Sequence, residues 1–264
     1  MLGRMIRDGR PAGPLPAALA AACLGVATPA HAAPEEIQIY VDDLTAPGGL
    51  GVDVHTNYAI DASRRPDYAG GRAPAHLFRL TPEFYFGLSP ELELGLYVLG
   101  ARAPGGRAGV DGAKLRLKYV PRHDTTAGGY WGVNLEVGRT ALAASERPWN
   151  AELKVLAGWR RGPWLLALNV NADQTLSAHG GPTELDVDWR VSRALAGRGE
   201  FGVEVYHELG PLADLGRMAG RSQALYAVWD GEARGVELEL GLGRGLTPAS
   251  DRWVAKAIVG LRFR

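Results

Sequence analysis

Lys114, Arg116 and Lys118 occupy every second position of DGAKLRLKYV (residues 111–120), and Ala113, Leu115, Leu117 and Tyr119 occupy the alternate ones. Successive side chains of an extended chain point to opposite faces, so this stretch sets a row of cations against a row of hydrocarbon. Cations at that spacing can select passing ions or neutralise carboxylates on neighbouring strands. Other alternating stretches carry carboxylates in the same phase: Asp53, Glu83, Glu93, Glu136, Glu152, Asp186, Asp188, Glu204, Glu237 and Glu239. Lys154, Arg190, Lys256 and Arg262 complete this polar face. Asp186 and Asp188 together could hold a cation, but Arg190 on the same face makes an ion-pair ladder the expectation.

The chemistry of catalysis is missing its partners. His207 falls on an apolar phase with no serine near it in sequence, and Ser145 and Ser192 have no histidine at short spacing. No catalytic residue is assigned, because a serine nucleophile needs a base within hydrogen-bond reach. His55, His76, His123, His179 and His207 are scattered without metal-ligand spacing, so no metal and no cofactor is expected. GLGRGL (241–246) imitates a glycine-rich phosphate loop, yet it continues an alternating stretch and precedes no helix. With 29 basic and 29 acidic side chains, the chain has no charge excess that would draw nucleic acid.

The elements that position these residues are strands. Period-two alternation recurs in LGVDVHTNYAID, HLFRLTPEFYFGL, LELGLYVLG, DGAKLRLKYV, YWGVNLEVGR, WNAELKVLAGWR, PWLLALNVNADQ, ELDVDWRVSR, FGVEVYHEL, QALYAVWD, GVELELGLGRGL and WVAKAIVGLRF. That makes about twelve strands, mostly of the 9 to 12 residues a tilted strand needs to cross a bilayer, where soluble strands average about 5 to 6. The face opposite the charges is almost uncharged. Glycines such as Gly95, Gly138, Gly158 and Gly243 are interspersed on the charged face, as a crowded interior requires. These features predict an all-β, closed, antiparallel up-and-down transmembrane barrel of about 12 strands, apolar outside and charged within. Trp131, Trp149, Trp159, Trp164, Trp189 and Trp253 share the apolar phase, most of them near strand ends, as in interfacial girdles. The phase of Trp229 stays open. Longer connections alternate with shorter ones, which puts the longer set outside the cell and both termini in the periplasm.

Residues 1–33 read as a secretory signal: Arg4, Arg7 and Arg10, a short apolar run, then Ala30-His31-Ala32 as a small-x-small cleavage pattern. Cys23 follows an alanine-rich run with Ala20 where a lipoprotein signal prefers leucine, so cleavage near Ala32 or Ala33 is expected instead of lipidation. Residues 34–48, with EEIQIYVDDLTAPG, form a short alternating segment that could be an extra strand, a periplasmic segment or a plug. Residues 49–264 form the barrel domain.

The last strand, WVAKAIVGLRFR, resembles the C-terminal insertion signal of bacterial outer-membrane proteins, with Phe263 one residue from the end. Together with LTPEFYFGLSPELELGLYV, DGAKLRLKYVPR and GRGLTPASDRWVAKAIVGLRF, it makes the chain similar to outer-membrane barrels grouped as the MetA-pathway of phenol degradation family. The resemblance implies a transporter-like barrel in a bacterial outer membrane, reached through the general secretory pathway. Its partners are then outer-membrane lipid, the outer-membrane assembly machinery and a small solute. The expected function is passive passage of that solute through a narrow charged lumen. A structural or interaction barrel with a closed lumen and working loops is the alternative, and a lipid-modifying enzyme the remoter one.

Overall fold

The computed structural model describes residues 36–176, 180–215 and 220–263, and the stretch read as a secretory signal, with Cys23, and His179 lie outside them. Twelve strands follow one another: β1 (Leu50–Asp61), β2 (Phe78–Ser89), β3 (Leu92–Arg102), β4 (Ala108–Tyr119), β5 (Gly128–Thr140) and β6 (Trp149–Arg161), then β7 (Trp164–Thr175), β8 (Glu184–Leu195), β9 (Gly199–Pro211), β10 (Gln223–Ala233), β11 (Val236–Gly245) and β12 (Trp253–Phe263). Each pairs antiparallel with its neighbours in sequence, and β1 pairs with β12, closing the barrel. Closure leaves no unpaired sheet edge, which is the condition for strands to stand in hydrocarbon.

The two faces separate as the alternation demands. Along β4, Leu115 and Leu117 are exposed on the outside, whereas Arg116 and Lys118 are buried inside. The outer band includes Leu80, Phe84, Leu94, Leu96, Leu135, Leu153, Leu166, Leu240 and Leu242, all exposed. Trp131 lies outward near the start of β5, Trp159 and Trp164 lie outward beside the two-residue turn from β6 to β7, and Trp149 lies outward at the opposite end of β6. Trp189 departs from the expected pattern, because it sits in the middle of β8. Trp229 takes the outward phase, donating its indole N–H to the Arg198 carbonyl at 2.8 Å.

Inside, three inward tyrosines lie over glycines directly across the ladder: Tyr85 on Gly51, Tyr130 on Gly158 and Tyr226 on Gly243. A Cβ at any of these glycines would overlap the tyrosine ring, so the small residues make room for a filled lumen. This is also why Gly243 of GLGRGL stands where it does.

The connections on one side are the longer set. They include residues 62–77 between β1 and β2 and 212–222 between β9 and β10. On the other side, β2–β3, β6–β7 and β10–β11 are joined by two residues each, although the β4–β5 connection, 120–127, is longer. These ends are called the loop side and the turn side below.

Candidate functional site

The site is the lumen, and residues 36–47 run through it. The chain enters from the turn side, where the Gly48 N–H donates to the Gly87 carbonyl at 2.8 Å, and rises to Glu36. Ile37, Ile39 and Tyr40 are buried. Ile37 packs with Tyr226, Val228 and Val254 on one wall, and Tyr40 packs with Val120 and Leu156 on the other. Alternation in EEIQIYV therefore serves side chains inside the barrel, and the segment joins no ladder of the sheet.

Side chains of the wall satisfy the segment's backbone. Asn169, fully buried, accepts the Tyr40 N–H through Oδ1 at 2.7 Å and donates Nδ2–H to the Tyr40 carbonyl at 2.9 Å. Glu93 accepts the Thr45 N–H at 2.7 Å, and Lys256 donates to the Ile37 carbonyl at 3.1 Å. The Tyr40 ring faces Lys154, Lys118 and Arg116 at 4.6, 5.3 and 5.5 Å from its centroid, a cation–π arrangement with three donors of charge. Its hydroxyl meets Tyr97 and Glu36.

At the turn side Asp42 is clamped by Arg160 and by His123 Nε2 at 2.7 Å. Burial by itself raises the Asp42 pKa, but the hydrogen bonds from Arg160 and His123 hold it below the ordinary carboxylate value. Burial by itself lowers the His123 pKa, but the bonds to Asp42 and the Pro121 carbonyl hold it above the ordinary imidazole value. An imidazolium donates from both nitrogens, matching these two acceptors.

The predicted polar residues divide into groups. Arg116 bridges Glu83 at 2.7 Å and Glu93 at 2.5 Å, Lys118 bonds Asp43 at 2.8 Å, and Lys114 lies 4.0 Å from Glu136. Lys256 lies 2.6 Å from both Glu204 and Glu239. Arg190 reaches Glu204, Glu239, Glu200 and Asp230. Asp53 accepts from Tyr85 at 3.1 Å. Glu152, Lys154, Asp186 and Asp188 line a loop-side chamber of about 390 Å³. Glu237 and Arg262 pair at 3.0 Å with both side chains nearly half exposed.

One expectation fails. Arg190 does not form a ladder with Asp186 and Asp188. The register sets it opposite Glu204, and its guanidinium turns toward a turn-side chamber of about 500 Å³. Asp188 instead accepts from Asn171 at 2.8 Å. Histidine spacing also concealed a convergence: Glu36, His55 and Glu83 place donor atoms within 4.8 Å of one another. Arg116 already supplies Glu83 with a cation there. Sequence reading missed Tyr40, Asp42, Asn169, Asn171, Asp173, Glu200 and Asp230. Asn169, Asn171 and Asp173 were signalled by polar residues recurring in one phase of LLALNVNADQ. The pairing of Asp42 had no local signal.

A closed twelve-strand barrel with a charged, segment-filled lumen is the class this architecture defines. No protein-family model and no curated protein matches the sequence. Among solved structures, the fold is similar to an outer membrane channel from Pseudomonas putida F1, with a TM-score of 0.60 and 14% identity over 86% of this chain and 100% of that one. It is also similar to the KdgM porin (TM-score 0.56, 7% identity, 81% and 99% covered) and the NanC porin (0.54, 10%, 81% and 99%). At these identities the likeness is one of fold.

Proposed function

We propose that this protein is a passive channel of a bacterial outer membrane, admitting a small solute along a narrow charged lumen interrupted by residues 36–47. The observation that carries the reading is the arrangement of two chambers with charged residues in their linings, about 390 and 500 Å³, one on each side of that segment. A barrel of 8 strands is filled by its own side chains and one of 16 to 18 leaves an open channel. A twelve-strand wall leaves space that one extended segment fills. The outward hydrocarbon band suits outer-membrane lipid, and the C-terminal strand suits recognition by the assembly machinery after export through the secretory pathway. The motifs of β2–β4 and β12 support membership of the MetA-pathway group, and the channel and porin folds above are in keeping with passage as the function.

Planar-bilayer recording of the refolded barrel tests this. Small, stable openings that widen when residues 36–47 are deleted support the channel. A correctly folded barrel that stays silent with and without the segment favours a closed interaction barrel working through its loops.

A further inference from the structure

We infer that the loop-side chamber is a binding site for an organic cation, an ammonium group on an apolar body; the inference rests on the channel reading for the side from which the solute arrives. The chamber is lined by eight carboxylates and two lysines, so its field favours positive charge. Lys154 pairs with Glu152 of the same lining at 3.0 Å and faces the Tyr40 ring, so it neutralises one of the eight carboxylates, and Arg190, the cation of β8 nearest Asp188, serves the other chamber.

An acidic lining alone would define no ligand, and Asn171 supplies the independent sign. It is 5% exposed and lines the chamber, and its Nδ2 is committed to Asp188. Its Oδ1 is buried without a hydrogen-bond partner among the described residues. A buried acceptor left unpaired is costly, and an N–H donor in the chamber would satisfy it. Asp188 thus holds the amide of Asn171, which the register sets opposite Asp186 and on the same face of β7 as Asp173, in the lining shared by all three, for a ligand that brings several N–H bonds.

The opposite wall selects the body of that ligand. Ile37, Tyr226 and Val254 form an apolar cluster, extended by Tyr206 and Ala224, and all five line the same chamber. Carboxylates facing hydrocarbon and aromatic rings match a cationic head on an apolar stem. A bare metal ion fits less well. The donor atoms close enough to coordinate one, among the described residues, belong to Glu36, His55 and Glu83. Acceptors spread more widely suit an ammonium, whose hydrogens radiate to separate partners. The volume of about 390 Å³ is within the range of small-molecule sites.

Isothermal titration of the full refolded barrel in detergent tests the site, with benzylammonium as probe, benzoate as the same body with opposite charge, and ammonium as the head alone. Benzylammonium should bind saturably and at least about tenfold tighter than either control, and Asp173→Asn/Asp186→Asn should weaken it about tenfold. These substitutions remove like charges at nearly constant volume, and heat-modifiable gel migration reports folding. If the double variant does not fold, Asp173→Asn, near the loop-side end of β7, carries the same comparison. Equal binding of benzoate, no binding by the parent, or unchanged affinity in the folded variant overturns the inference. A conducting barrel without this preference leaves the channel reading standing and removes the site. A silent barrel that binds benzylammonium does the reverse.

Discussion

Asn169→Ala tests whether the wall holds the segment in the lumen. The amide of Asn169 makes both hydrogen bonds that an adjacent strand would offer Tyr40, at 2.7 and 2.9 Å, in a fully buried position. Truncation leaves the N–H and C=O of Tyr40 without these partners. If both stay dry, each costs about 1–3 kcal/mol, about 2–6 in all. Water entering the space vacated by the amide satisfies part of that demand and moves the cost to its lower end. At about 2 kcal/mol the ratio of seated to unseated segment falls roughly thirtyfold. Hydrogen exchange followed by mass spectrometry on the detergent-solubilised barrel reads this directly. Amides of residues 37–45 should lose protection by about that factor while those of β6 and β7 keep theirs. Unchanged protection would show that Asn169 does not seat the segment. Uniform loss across the strands would show that it supports the barrel wall instead.

Three other outcomes follow from the same geometry. Leu115→Arg, on the outward face nearer the middle of β4, should cost about 2–4 kcal/mol in equilibrium unfolding from lipid, and an unaffected variant would mean the faces are reversed. Arg116→Met leaves buried Glu83 and Glu93 without their shared cation and should lower stability by about 3–5 kcal/mol, measured in the same way. The clamp on Asp42 should depend on pH at both ends. His123 contributes fully below the ordinary imidazole pKa of about 6.5, and its contribution is lost as pH rises through its raised value. Asp42 contributes above the ordinary carboxylate pKa of about 3.9, and its contribution is lost as pH falls through its depressed value. Exchange at residues 41–43, corrected for the intrinsic pH dependence, should therefore be slowest between about pH 4 and 6.5. His123→Gln should remove the alkaline loosening and leave the acid one.

The strands, their faces and their closure were legible in the sequence because they follow from local alternation. The stretch LGVDVHTNYAID coincides with β1 and WVAKAIVGLRF with β12, and Leu117 and Arg116 fall on opposite sides of the wall as their spacing required. A side chain's face depends only on whether its position is odd or even, and an apolar outer row opposite a charged row states which face meets hydrocarbon. Even the crowding of the lumen was visible, in glycines recurring on the charged face.

Which charge meets which, and what fills the lumen, belonged to the tertiary structure. Arg190 shares a face with Asp188, yet barrel closure and register deliver it to Glu204, Glu239 and Asp230. Tyr40 and Asn169 lie 129 residues apart, and no local pattern relates them. The segment EEIQIYVDD alternates as an edge strand would, but its partners are side chains projecting from several walls at once. Alternation assigns a residue to the inside of a barrel. Its partner there is set by the strand register and by the neighbours that closure brings across the lumen.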